Sequence, residues 1–182
     1  MLWGAASGAL ELRAEGGSVR LRGRFPYATE AELARGRFER IEARAFAERI
    51  DAGEDIHLLS GHDYNRPLAS RAAGTLEIRD TLAALEIEAR MADGTSWARD
   101  FLEAHKAGLI RGLSPGFRVT PGGERIERRG NGVVRRIERA ELFEISTVTR
   151  PAYEAAQIEA RSWETAGEEK FSTPHPLKRW RL

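Results

Sequence analysis

The chain contains no cysteine. Thiol catalysis, thiolate metal sites and any disulfide framework are therefore excluded, and the composition suits a reducing compartment. Lysine is scarce as well, present only at Lys106, Lys170 and Lys178. Arginine carries the remaining positive charge. Guanidinium groups suit phosphate or carboxylate recognition, but acidic residues match the arginines nearly one for one, so the bias reads as codon usage. With 29 basic and 28 acidic residues the formal net charge is +1. No charge excess draws the chain to a polyanion, and no specific nucleic-acid partner is expected. Long hydrophobic runs are also missing: no segment approaches the ~20 apolar residues of a membrane span. The apolar start, Met1 to Leu10, lacks a basic flank and meets Glu11 too soon for a signal peptide. The expectation is a soluble protein with no membrane partner that stays in the cell making it.

What is present is a chain of 182 residues, 41% hydrophobic and 31% charged, the size of one domain. Most of it reads as strands. Val19, Leu21, Gly23 and Phe25 alternate with Arg20, Arg22 and Arg24, the period of a half-buried strand. Leu85 to Met91 alternates in the same way, and Leu76–Ile78 is a shorter partner before the turn signal Asp80-Thr81. Val133 to Ile137, after the turn-rich Arg129-Gly130-Asn131-Gly132, and Phe143 to Val148 are further strands. Thr95 to Leu109 instead spaces Trp97, Phe101, Leu102, His105 and Leu109 as a helix face, with Thr95 or Ser96 as N-cap. Ala43 to Ile50 reads as a shorter helix. Many short strands with one good helix predict a mainly β (α+β) fold, a barrel or sandwich with flanking helices. Residues 1–160 form the domain, and 161–182, ending Lys178-Arg179-Trp180-Arg181-Leu182, a flexible tail.

Without cysteine, the nucleophile candidates are hydroxyls and the base candidates the histidines. In Gly112-Leu113-Ser114-Pro115-Gly116-Phe117-Arg118-Val119, a strand would put Leu113, Phe117 and Val119 on one face and Gly112, Ser114 and Gly116 on the other. Glycines flanking the serine leave room for another backbone, such as a substrate peptide, to approach it. Spacing alone equally allows a tight strand end with an incidental serine. Pro115 has no N–H, so an oxyanion donor must come from the N–H of Ser114 or Gly116, or from Arg118 or Arg150. His62 ends the strand-like Ile56–Gly61 and is followed by the turn-like Tyr64-Asn65-Arg66-Pro67. It is a catalytic or a merely capping residue. His57 points the other way along that strand, His105 falls on the apolar helix face, and His175 lies in the tail. A metal set of His57, His62, Asp55 and Asp63 has suitable ligand types but matches no established metal spacing, and neither metal nor cofactor is expected. Glu144 interrupts the apolar run Phe143–Ile145, where a buried carboxylate needs a partner. That partner is an arginine or His62.

Taken in order, these segments resemble the prohead (capsid maturation) proteases of tailed phages, which are related in fold to the herpesvirus assemblins. The likeness runs from about Leu21 to Tyr153. It is carried by Gly23-Arg24-Phe25-Pro26-Tyr27-Ala28-Thr29, Ala45-Phe46, Gly61-His62-Asp63 to Pro67-Leu68, Leu113-Ser114-Pro115-Gly116-Phe117, and Leu142 to Ala152. Ala69-Ser70 and Pro115 depart from the family's usual residues. The resemblance implies His62 as general base, Ser114 as nucleophile and Glu144 as the orienting acid. It also implies an antiparallel β-barrel of the assemblin type and a serine endopeptidase that cleaves the major capsid protein precursor and its scaffold segment. It would act inside the assembling prohead in the host cytoplasm, with homodimerisation and self-cleavage within the tail that follows Arg161 as further expectations. The alternatives are a catalytically idle capsid-assembly factor with the same fold and a metal-dependent hydrolase using His57 and His62.

Overall fold

The computed structural model describes residues 9–15, 18–91, 93–130 and 132–149. Among them are twelve strands and two helices: β1 (Ala9–Glu15), β2 (Ser18–Pro26), β3 (Glu30–Ala34), β4 (Arg37–Ile41), α1 (Ala47–Asp51), β5 (His57–Ser60), β6 (Asp63–Ser70), β7 (Leu76–Asp80), β8 (Ala84–Met91), α2 (Ser96–Lys106), β9 (Gly112–Val119), β10 (Glu124–Arg129), β11 (Gly132–Ile137) and β12 (Ala140–Val148). The fold is mainly β. Pairing gives three four-stranded sheets, ordered β1-β2-β8-β7, β10-β11-β4-β3 and β6-β5-β12-β9. These ladders do not join into one closed cylinder among the described residues. Most pairs are antiparallel, but β11 runs parallel to β4 and β12 parallel to β5.

Period-2 patterning explains the first sheet. Leu21 is buried on β2, while Arg22 and Arg24 lie outside, opposite Glu88 and Glu86 of β8. Arg22 Nε donates to Glu88 at 3.0 Å. Such exposed pairs add little stability; they fix register and keep the face wet. β7 and β8 pair antiparallel, as the turn signal Asp80-Thr81 between them predicts. Gly23 brings β2 against the third sheet: a Cβ there would stand 2.3 Å from Leu113 Cδ1. One core runs through all three sheets, including Leu21 and Ile87, Ile41 and Ile137, and Leu58, Leu113 and Ile145.

Both helices are shorter than their spacing suggests. α2 starts as expected, with the Thr95 hydroxyl accepting from the Ala98 N–H, and buries Ala98 and Phe101. It ends at Lys106, and Gly108 turns the chain at φ 73°. Leu109 therefore leaves the helix and is exposed, contrary to its place on the predicted apolar face. Trp97 Nε1 donates to the Pro67 carbonyl at 2.8 Å, tying α2 to β6. α1 begins only at Ala47, because Arg44 at φ 58° puts a turn where a helix from Ala43 was expected. Residues 64–67, read as a turn, belong to strand β6. That strand lies at a sheet edge, where Pro67 and three extra residues are tolerated: the register jumps from Ser60↔Asp63 to Leu59↔Pro67. The tail from Arg161, and with it His175, lies outside the described residues.

Candidate active site

The site lies on one face of the β6-β5-β12-β9 sheet, and three local devices build it. The first is the β5–β6 connection. Ser60 pairs with Asp63, so Gly61-His62 is a two-residue hairpin loop with φ values of 66° and 59°. Two positive φ angles are the type I′ pattern. Glycine adopts that conformation freely, but a histidine in it costs about 1–2 kcal/mol. Two bonds to β12 hold the loop: Gly61 N–H to the Thr147 carbonyl at 3.1 Å, and His62 N–H to Ser146 Oγ at 2.9 Å.

The second device is a β-bulge at Phe143. Leu142 pairs with Phe117, yet Glu144 pairs with Gly116, so β12 contributes one residue more than β9 at this point. Without that extra residue Leu142 and Glu144 would share a face. With it, Leu142 stays in the core and Glu144 turns to the opposite face. The Phe143 ring is covered by the guanidinium groups of Arg49 and Arg118, at 4.6 and 5.3 Å.

The third is the parallel pairing of β12 with β5, which sets Glu144 beside His57 and Thr147 beside Ser60. His62, two residues past Ser60, thereby returns over β12. His62 Nδ1 lies 2.6 Å from Glu144 Oε1, and the Ser146 hydroxyl donates to Glu144 Oε2 at 2.6 Å. A carboxylate only accepts, so this contact assigns the proton to Nδ1, the tautomer that leaves Nε2 as the acceptor nitrogen. Glu144 is 4% exposed. Burial together with Glu144's negative charge pushes the nearby Tyr64 phenol upward.

Ser114 sits on β9 directly opposite Ser146, on the same sheet face as Gly116 and Glu144. It is 1% exposed, and its Oγ is buried with no hydrogen-bond partner among the described residues. The structure thus joins His62 to Glu144 and places Ser114 on the neighbouring strand, with no hydrogen bond from its hydroxyl to the imidazole. Gly116 serves a purpose other than the predicted one. A Cβ there would stand 1.9 Å from Glu144 Oε1, so the space left by the glycine is filled by the carboxylate rather than kept for a substrate backbone.

The other candidates fall elsewhere. Asp63 accepts from the Asn65 N–H at 2.9 Å and pairs with Arg66 at 3.3 Å. His57 is partly exposed, 3.6 Å from Asp55 and edge-on to Tyr64. Among the described residues no group of three His, Asp or Glu side chains is placed to hold a metal ion. His105 bonds the Ile110 carbonyl through Nδ1 and stacks on Phe101. Arg118, considered as an oxyanion donor, gives two N–H groups to Glu141 Oε2, and Arg150 lies outside the described residues. Sequence reasoning missed Ser146. Its signal was a hydroxyl two residues beyond Glu144, hence on the same strand face.

A protein-family comparison matches residues 12–169 to the caudovirus prohead serine proteases. Curated proteins and solved structures give no match.

Proposed function

Since the chain belongs to the caudovirus prohead serine protease family, we propose that it is a serine endopeptidase that uses Ser114, His62 and Glu144 to cleave capsid precursor during prohead maturation. The observation that carries this reading is the 2.6 Å contact between His62 and a buried Glu144 on the sheet face that bears Ser114. In the reaction Ser114 Oγ attacks the scissile carbonyl and His62 Nε2 takes its proton. Glu144 holds the imidazole by Nδ1 and stabilises the imidazolium that forms. The imidazolium then protonates the leaving amine, and water, activated by the same nitrogen, hydrolyses the acyl-enzyme. Because Ser114 is buried, its strand has to be uncovered before a peptide reaches it. The substrates are the major capsid protein precursor and its scaffold segment, met inside the assembling prohead in the host cytoplasm. A homodimer, an assemblin-type barrel and self-cleavage within the tail that follows Arg161 belong to the same proposal.

One observation favours a second reading: the Ser114 hydroxyl makes no hydrogen bond to His62, as in an idle assembly factor that keeps only the fold. Intact mass spectrometry of the cognate capsid precursor, co-expressed with wild type or Ser114→Ala, separates the two. Cleavage by wild type alone supports the protease. Equal cleavage by both overturns the assignment of Ser114. Absence of cleavage, also inside assembled proheads, favours the idle factor.

A further inference from the structure

The Ser146 side chain is fully buried at 0% exposure, and its hydroxyl is engaged as both donor and acceptor. It donates to Glu144 Oε2 at 2.6 Å and accepts from the His62 main-chain N–H at 2.9 Å. The other oxygen of that carboxylate contacts His62 Nδ1 at 2.6 Å. The bonds therefore form a closed ring: His62 backbone, Ser146, Glu144 and His62 imidazole. Two atoms of one histidine are fixed relative to each other through a single hydroxyl.

Both ends of that ring need holding. His62 occupies a left-handed conformation at φ 59° that a non-glycine residue leaves unless its surroundings prevent it. Glu144 reaches the site face by way of a bulge, and its carboxylate could rotate about its last bond if only one oxygen were bonded. Ser146 stops both motions.

We infer that Ser146 is a positioning residue of the proposed protease, acting through Glu144 to aim the His62 imidazole. This rests on the serine-protease reading above, but half of its test does not. A buried serine that merely satisfied its own hydroxyl would, when lost, lower stability without affecting the imidazole. A positioning residue touches no substrate, so its loss lowers kcat and leaves KM alone.

The experiment uses the full chain as wild type, Ser146→Ala and Ser146→Thr, each first checked for a cooperative thermal transition. Proton NMR follows the hydrogen-bonded Nδ1–H of His62, assigned by its disappearance in His62→Gln. The expected result is that Ser146→Ala exchanges this proton with water at least ~10-fold faster, in line with losing one charge-assisted bond, while Ser146→Thr keeps it protected. On a peptide spanning a precursor cleavage site, Ser146→Ala is expected to lose about 10- to 100-fold in kcat, with KM within about twofold. In a Glu144→Gln background the same change adds less than about twofold. Ser146→Ala with an unchanged Nδ1–H signal overturns the inference, and so do Ser146 and Glu144 losses that simply multiply. Should Ser114→Ala cleave like wild type, or should nothing cleave, the protease reading falls. The NMR arm still decides whether Ser146 positions His62.

Discussion

Gly116→Ala tests the packing of the site most directly. An added Cβ would lie 1.9 Å from Glu144 Oε1 and 2.7 Å from its Cδ, against roughly 3.4 Å for an ordinary carbon–oxygen contact. Something must therefore move by more than an ångström. The main chain of β9 is held to β12 by the ladder through Ser114↔Ser146 and Gly116↔Glu144, so the carboxylate is the group that shifts. It cannot do so and keep both of its 2.6 Å bonds, to His62 and to Ser146. Bonds to a charged group are each worth about 1.5–3 kcal/mol. Loss of one to two of them implies a fall of roughly 3–24 °C in Tm for a domain of this size. Misplacing a catalytic group by about 1 Å costs on the order of 100-fold in rate. Differential scanning calorimetry and cleavage kinetics on a precursor-derived peptide measure the two effects. The double variant Gly116→Ala/Glu144→Ala frees the space, so it should recover part of the lost Tm while remaining as slow as Glu144→Ala alone. A Gly116→Ala protein with wild-type Tm and kcat would refute the reasoning, because the carboxylate would then not lie over the glycine.

Ser114→Ala is expected to abolish cleavage while leaving Tm unchanged or slightly raised, since the Ser114 hydroxyl gives up no hydrogen bond among the described residues; a drop of several degrees by calorimetry would contradict that. Glu144→Gln keeps the shape but not the charge, and kcat should fall by up to about 10,000-fold as the imidazole loses its orientation and its counter-charge; less than about tenfold would mean that Glu144 does not serve His62. In the β10-β11-β4-β3 sheet, burial raises the Glu39 carboxyl from its ordinary 4.5 to about 7, opposed by Arg135. A carboxyl whose folded pKa is raised stabilises the fold fully below its unfolded value and loses that contribution as pH climbs through the folded one. Stability measured by urea unfolding should accordingly decline between about pH 4.5 and 7 through this group, and Glu39→Gln should flatten that decline; an identical pH profile for the variant would remove Glu39 as its source.

The alternating strands were legible because a half-buried strand writes its period into the chain, as β2 and β8 do. Those that were not legible lack the period for physical reasons. β10 reads Glu-Arg-Ile-Glu-Arg-Arg and is largely exposed, with Ile126 at the surface. β4 places Glu39 at a core position, where it is balanced by Arg135 at 3.2 Å. The third sheet shows a different limit. Ser114 and Gly116 sit on one face as spacing predicts, but the step that turns Glu144 toward them is a bulge, which adds one residue and leaves no trace in composition. Likewise nothing local pairs residues 57–60 with 144–147. That parallel register is a property of the whole chain, and the His62–Glu144 contact depends on it.

Three departures from local preference converge on this one sheet face, and their convergence supports the proposed site. His62 takes a backbone conformation suited to glycine, Glu144 is a carboxylate buried in mid-strand, and Ser114 buries a hydroxyl with no partner among the described residues. None is diagnostic alone. Ala28 and Arg44 also have φ near 58°, and Arg44 is accounted for by its bonds to the Asp80 carbonyl and Asp51. Glu39 is a buried carboxylate as well, but its partner is Arg135, which offers no reactive group. At the candidate site the arrangement differs in kind. The carboxylate there faces an imidazole, the strained residue is that imidazole's own, and the hydroxyl on the adjacent strand has no bond to lose among the described residues. Each departure costs stability, and the bonds that offset the first two tie the imidazole to the carboxylate beside Ser114, whose hydroxyl has no partner among the described residues. A fold selected for stability alone would replace Ser114 with alanine and His62 with glycine. Retaining both at one place, with Ser146 and Gly116 shaped around them, is the pattern expected where chemistry sets the residues.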